Sequence, residues 1–300
     1  MEAEKANHPI TMMARALEVS RSGYYRWLQG REANDEAWER LKEAVLEVWE
    51  RSKRRFGARK IHVKLLSDYG GEFDGLTLYR VRKCMRELGI QGIAPNRKKR
   101  TTVPDEDAPK RPDLLKRDFT SAVPTCRHVG DITYLRTLGG FIYLATVIDL
   151  ATRMVVGWAI SSRMTSDLVI SAMDMAWSRG YVAGNAIFHS DRGSQYTSKA
   201  FAEWAKSHDV RLSVGRTGSS YDNAVAESFF GTLKNEWLHH ERVMDAATTK
   251  NLTIEFIESY YNRYRPHEAV GDRVPAELMQ EFFDRMDIAL ADDKEVIMVA

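Results

Sequence analysis

The chain has 300 residues, 44% of them hydrophobic and 29% charged, which excludes a mini-protein and describes a soluble globular chain of about two domains. Its two cysteines, Cys84 and Cys126, stand 42 positions apart with no CxxC, which excludes a disulfide framework and a cysteine zinc site and fits a reducing cytosolic compartment. The longest uncharged stretch, residues 137–148, falls short of the roughly 18 residues of a membrane-spanning helix, and MEAEKANHP has no apolar h-region, so neither a membrane role nor export is expected. The net charge of +2 conceals a strong asymmetry: residues 1–50 carry net −3, residues 51–100 carry 15 basic and 4 acidic side chains, net +11, and residues 101–300 carry net −6. A concentrated positive charge repels itself unless a polyanion relieves it, and nucleic acid is the usual polyanion.

In chain order, residues 1–50 read as a helical region. Ile10, Met13, Ala14 and Leu17 follow helical spacing; Ser20 is then placed as an N-cap before Tyr24, Trp27 and Leu28, giving two short helices with a tight link, a helix-turn-helix candidate. A separate amphipathic helix is expected through Trp38, Leu41, Val45, Val48 and Trp49. Residues 51–94 form a second, basic helical unit. In it Ala58, Ile61 and Leu65 mark one buried face and Val81, Cys84, Met85 and Leu88 another, leaving Arg55, Arg59, Lys60, Lys64, Arg80, Arg82, Lys83 and Arg86 outside. Such a surface suits phosphate contacts, so Arg54, Arg55, Arg59, Lys60, Arg80, Lys83 and Arg86 are candidate DNA-binding residues. PNRKKRTTVPDEDAPKRPD, with four prolines, reads as an exposed linker, taken as residues 95–118.

Beyond the linker the pattern alternates. CRHVGDITYLRT, FIYLATVIDL and RMVVGWAI predict three antiparallel strands; a helix, the short strand AIFHSD, a helix, the strand RLSVG and the helix NAVAESFFGTLKNEW follow. The order βββαβαβα predicts an α/β core over residues 119–240, a mixed sheet flanked by helices, preceded by the small all-α units and followed by a helical segment over residues 241–300. Three acids stand out: Asp131 inside the first strand, Asp191 at the end of the fourth, and Glu227 on the helix that begins near Asp222-Asn223. Taken singly, Asp131 reads more readily as an edge-strand solubiliser, Asp191 as a turn former before Gly193 and Glu227 as an exposed helix charge. Gathered at one place, such carboxylates cost several kcal/mol each unless cations neutralise them, and an all-oxygen donor set selects Mg²⁺ or Mn²⁺.

GDITYL, FHSDRGSQYTS and YDNAVAESFFGTLKNEW, with thirty-five residues between Asp191 and Glu227, closely resemble the motifs of DDE transposases of bacterial insertion sequences, whose core is similar to retroviral integrase. The resemblance is closest to the second-reading-frame product of the large family that fuses two overlapping frames by ribosomal frameshifting; VSRSGYYRWL, RFGARKI and YYNRYRPHEAVGDRVPAEL carry it through most of the chain. It implies a ribonuclease-H-like fold, two divalent metals, and cutting and joining of the ends of the element itself. It further implies that the chain acts on double-stranded DNA at the inverted-repeat ends and at the target, as a homo-oligomer on DNA, with an upstream-frame protein or fusion as partner, in the bacterial cytoplasm at the nucleoid. Asp131, Asp191 and Glu227 are the expected catalytic residues and metal ligands, Asp131 bridging two ions about 3.5 to 4 Å apart. Lys234, seven residues after Glu227 and so two α-helical turns along the same face, is expected to touch DNA near the metals; Arg192, Arg265 and His267 complete the candidate contacts. His189 and His267 read as packing or phosphate-contact residues rather than general bases, since two-metal transfer needs no histidine.

The chain departs from the resemblance at His128, where many relatives carry tryptophan, at Val270, where leucine is common, and at Glu268 and Asp272, where uncharged residues are usual; none of these touches the three acids. Two other readings stay open at this point. An RNase H or Holliday-junction type nuclease uses similar carboxylates but hydrolyses without joining, and a non-enzymatic DNA-binding regulator would rely on the helical N-terminal region alone.

Overall fold

The computed structural model describes residues 1–93, 112–116, 118–215, 224–238 and 243–299. Most of the expected linker, and the start of the Glu227 helix at Asp222-Asn223, lie outside them. The chain forms two compact units, Met1–Gly92 and Ile93–Ala300.

The first unit is all helical: α1 (Ile10–Ala16), α2 (Arg21–Arg51), α3 (Ala58–Asp68) and α4 (Leu78–Glu87). Ser20 does cap α2, accepting from the Gly23 backbone N–H at 3.0 Å. The expected break between Leu28 and Trp38 does not occur, and the two predicted helices are one helix of 31 residues. The segment holds no proline, and its one glycine, Gly30, costs a helix only about 1 kcal/mol, so the helix runs through Asn34 and Asp35 in spite of their cap character. Leu41, Val45 and Val48 bury one side of α2, which packs against α3 and α4 through Ile61, Leu65, Val81 and Cys84. Two tryptophans of α2 fix this packing, Trp38 donating to Glu87 Oε2 at 2.9 Å and Trp49 to the Gln91 carbonyl at 3.0 Å.

The second unit is built on a five-stranded sheet in the order β3-β2-β1-β4-β5: β1 (Arg127–Thr137), β2 (Gly140–Asp149), β3 (Val155–Ser161), β4 (Ile187–Ser190) and β5 (Arg211–Val214). The first three strands are antiparallel, while β4 runs parallel to β1 and β5 parallel to β4. Between them come α5 (Ser166–Ser178), a four-residue helix α6 (Ser194–Thr197) that the sequence did not suggest, and α7 (Lys199–Ser207); α8 (Ala224–Thr232), α9 (Ala246–Glu255) and α10 (Pro275–Val299) follow β5. The βββαβαβα order and the mixed sheet with flanking helices are as expected for a ribonuclease-H-like core. The turn from β2 to β3 is held by the buried Asp149 carboxylate, which accepts from Thr125 N–H and Thr152 N–H at 2.8 Å each and from the Thr152 hydroxyl at 2.8 Å.

Period-two alternation divides the sheet between two sets of helices. Ala145 and Val147 of β2 join Leu168, Met173, Phe188, Phe201 and Trp204 in the core under α5 and α7. The opposite face of β1, carrying Val129, Asp131, Thr133 and Leu135, is covered by α8 and α9. Neither helix ends regularly: α8 widens into a π-helical turn, Leu233–Leu238, and α9 into another, Phe256–Tyr261.

Candidate active site

The parallel register between β1 and β4 pairs Val129 with His189, and two residues further along it sets Asp131 level with Asp191, the residue that follows the last position of β4. Asp191 thus emerges at the carboxyl end of β4, where open α/β sheets place their sites, beside Asp131 inside β1. The Asp191 carboxylate is steadied by the Gly193 backbone N–H at 2.9 Å, and Asp131 accepts from the Ile132 N–H at 2.7 Å. Glu227 reaches the same region from the first turn of α8. Phe188 packs where the Cβ of any larger residue at position 130 would stand, so glycine beside Asp131 makes room for the Phe188 ring.

Electrostatics ties the three acids together. Burial and then the negative charge of Asp191 push the Asp131 carboxyl up to about 8 against the Ile132 N–H, with a smaller push from Glu227 and a smaller opposing effect of Lys234. The Tyr196 hydroxyl, buried on α6, is held well above its ordinary value by burial and by the same two aspartates. Asp131 thus sits buried among like charges, and the three side chains offer only oxygen donors, which fits a hard divalent cation. Among the described residues no three His, Cys, Asp or Glu side chains already stand in a metal-holding arrangement, so the carboxylates are neighbours in Coulomb range rather than a closed cage.

Lys234 lies inside the π-helical turn rather than on regular α-helix. Its ammonium donates to the Thr133 hydroxyl at 2.7 Å and sits 4.6 Å from the Tyr134 ring centre, on the strand that carries Asp131. Burial lowers its pKa, and Asp131 works against that. Arg192 donates to the Gly215 carbonyl at 3.1 Å, joining the loops after β4 and β5. His189 is buried, its Nδ1 2.8 Å from the Ser213 hydroxyl, a packing position; His128 is buried too, its Nε2 2.9 Å from the Tyr181 carbonyl.

Several expected DNA contacts are placed otherwise. The Arg265 guanidinium does not face outward but forks onto Glu236, at 2.8 and 3.0 Å, with only 11% of the side chain exposed. His267 lies within 3.3 Å of that guanidinium and edge-on to the Tyr261 ring. In the first unit Arg55 and Lys64, which helical spacing puts on the surface, are buried: Arg55 donates to the Lys53 carbonyl and Lys64 pairs with Asp68 at 2.9 Å. The cause at Arg55 is local, since left-handed φ values at Lys53 (53°) and Arg54 (65°) reverse the chain after α2 and turn Arg55 inward. Arg54, Arg59, Arg80, Lys83 and Arg86 are exposed and Lys60 is half-buried. Arg80 and Lys83 lie over the Trp38 ring, at 5.7 and 5.0 Å. Thr133 and Tyr196 escape sequence reasoning; Tyr196 alone carries a local sign, as an aromatic side chain in the polar run SQYT beside Asp191.

Models of the integrase core domain match residues 124–220 and 208–275, and a model of an HTH-like domain matches residues 36–99. The helix-turn-helix match thus falls on the second half of α2 with α3 and α4, not on the candidate at residues 10–28. The chain is similar to the simian T-cell lymphotropic virus intasome (TM-score 0.46, 15% identity, 74% of this chain and 70% of that one). It is also similar to the HTLV-2 integrase catalytic core domain in complex with magnesium (TM-score 0.42, 18% identity, 52% of this chain and 97% of that one). The Insertion element IS600 uncharacterized 31 kDa protein of Shigella sonnei is 34% identical over 274 residues, 90% of this chain and 98% of the relative. Transposase InsF for insertion sequence IS3A of Escherichia coli (strain K12) is 36% identical over 278 residues, 92% of this chain and 95% of the relative. With integrase-core motifs on a sheet of the expected order and relatives of this identity along almost its whole length, the chain belongs to the IS3-family transposases, DDE polynucleotidyl transferases of insertion sequences.

Proposed function

We propose that Asp131, Asp191 and Glu227 are the catalytic carboxylates with which this transposase cuts the ends of its own element and joins them to target DNA, and that they hold two Mg²⁺ or Mn²⁺ ions. The observation that carries this reading is the convergence of three acids from separate elements: the parallel pairing of β1 with β4 brings Asp131 and Asp191 together, and Glu227 on the first turn of α8 lies near enough to raise the Asp131 pKa. Bound there, divalent cations supply activation of the attacking oxygen and stabilisation of the leaving 3'-oxygen. The protein contributes the frame. β1 and β4 present Asp131 and Asp191 side by side, α8 brings Glu227 over them, and the Lys234 ammonium on the rim holds a phosphate in place. Because hydrolysis and joining are both in-line displacements at phosphorus, one site serves water first and a freed 3'-hydroxyl second.

Arg54, Arg59, Lys60, Arg80, Lys83, Arg86 and Arg192 are proposed phosphate contacts; Arg55, Arg265 and His267 are left out because their side chains are engaged inside the fold. Among the described residues no helix is long and apolar enough to cross a membrane, and action at the nucleoid, as an oligomer on DNA and with an upstream-frame partner or fusion, belongs to the same proposal. Strand transfer separates this reading from a nuclease. With a labelled duplex of the element's end and Mg²⁺, joined products are expected together with cut ones; cut ends that never join would identify a nuclease, and no metal-dependent cleavage at all would leave only DNA binding.

A further inference from the structure

The π-helical turns that end α8 and α9 pack on one another. The Trp237 ring centre is 4.9 Å from that of Tyr260 and 5.6 Å from that of Phe256, while Phe229 of α8 lies 4.8 Å from Tyr261 and 5.8 Å from Phe256. Against this aromatic stack sits the ion pair of Arg265 with Glu236. Arg265 gives Nη2 to Glu236 Oε1 at 2.8 Å and Nε to Oε2 at 3.0 Å, the Tyr260 hydroxyl approaches Oε2 at 3.3 Å, and the two charged side chains are 11% and 17% exposed. Burying an ion pair gains little net stability, and apolar side chains of similar volume would hold these segments together as well. What a bidentate guanidinium adds is direction: it fixes the carboxylate in plane and in distance, and with it the backbone that carries it. That backbone is the π turn, a winding that regular helices avoid and that recurs at functional sites.

Lys234 stands two residues before Glu236 in this same turn. On an unbroken α-helix Lys234 would stand nearly in line with Glu227; the wider winding after Thr232 alters its bearing, and in the structure its ammonium ends on the Thr133 hydroxyl, two residues along β1 from Asp131. We infer that Glu236 and Arg265 are positioning residues of the transposition reaction: their ion pair locks the π turn and so sets the reach of Lys234 to the DNA beside Asp131. The pair also occupies Glu236, the other acid on this stretch, and leaves Glu227 as the acid that faces the aspartates. This inference rests on the proposed role of Lys234, and the test separates the two.

The experiment uses the full chain and single-turnover cleavage of a labelled duplex end, at several KCl and MnCl₂ concentrations, for Lys234→Ala, Glu236→Gln, Arg265→Lys and the double variant Lys234→Ala/Glu236→Gln. Glu236→Gln is expected to slow cleavage about tenfold, the scale of one charged hydrogen bond. It should flatten the salt dependence as Lys234→Ala does, by about 0.9 log unit for each phosphate no longer neutralised, and leave the MnCl₂ concentration for half-maximal rate unchanged. The double variant should cleave no more slowly than Lys234→Ala alone, because two residues acting through one interaction do not add, and Arg265→Lys should slow cleavage less than Glu236→Gln by keeping the charge without the fork. Multiplying effects in the double variant, or a shifted MnCl₂ requirement with an unchanged salt slope, would overturn the inference. If Lys234→Ala alone is silent, the proposed role of Lys234 fails and the inference falls with it. Should Glu236→Gln melt below the assay temperature, Arg265→Lys with and without Lys234→Ala supplies the same cycle.

Discussion

Asp131 is a carboxyl that the fold makes difficult to ionise. Its value in the unfolded chain is 3.8 and in the folded protein about 8, so between those limits the native state keeps a proton that the unfolded chain has lost. The contribution of Asp131 to stability must then fall as pH rises from about 4 to about 8, each unit of the difference being worth about 1.4 kcal/mol. In EDTA the melting temperature is therefore expected to decline across this window more steeply for the wild type than for Asp131→Asn, with Mg²⁺ restoring the wild type at pH 8. Equal slopes in the two proteins would show that Asp131 is not charged against its neighbours. Residues of this kind are legible in the sequence because motif and strand position coincide at Asp131 and Asp191. Glu236 and Arg265 are not: they lie 29 residues apart and meet only through tertiary packing, so neither local pattern announces the pair. Arg55 misleads because helical periodicity does not continue past the end of α2, where two left-handed residues reverse the chain.

At the scale of elements the strands are plain in the sequence, since each is bounded by turn residues and alternates or runs apolar as its burial demands. The helices are less plain where their ends depend on neighbours. Gly30 and Asn34-Asp35 suggest a break between Leu28 and Trp38 that the helix does not make, and the two π turns coincide with the packing of Trp237 on Phe256 and Tyr260, a contact that neither segment announces by itself. A sheet-to-helix contact gives a sharper test of the core. A Cβ at Gly157 of β3 would overlap the Ala172 carbonyl oxygen and press on the Ala176 backbone nitrogen of α5, and backbone atoms cannot rotate away. Gly157→Ala is expected to lower stability by about 1–3 kcal/mol, as overpacked cores do, read as a lower urea midpoint with an unchanged slope. A midpoint equal to the wild type would mean that α5 is not seated on β3 as described.

For the whole molecule, the proposed function divides the work of binding and chemistry between the basic segment and the three acids. The +11 segment, residues 51–100, includes α3 and α4, within the part that matches an HTH-like model, and the acids occupy the integrase core. Neutralising Arg80, Lys83 and Arg86 together should weaken binding of the element's end and reduce its salt dependence by about 0.9 log unit of slope for each phosphate they neutralise in the wild type; an unchanged slope would mark α4 as a solubilising surface. This division is visible in the sequence because charge and motif are local properties, whereas the spatial meeting of Asp131, Asp191 and Glu227 depends on a parallel strand pairing and a helix packed over the sheet. The most direct test of the central claim is Glu227→Gln in Mg²⁺-dependent cleavage and joining of a labelled end, with end binding measured alongside. Both reactions should be lost at every ionic strength while binding stays near that of the wild type; cleavage retained by Glu227→Gln would contradict the assignment.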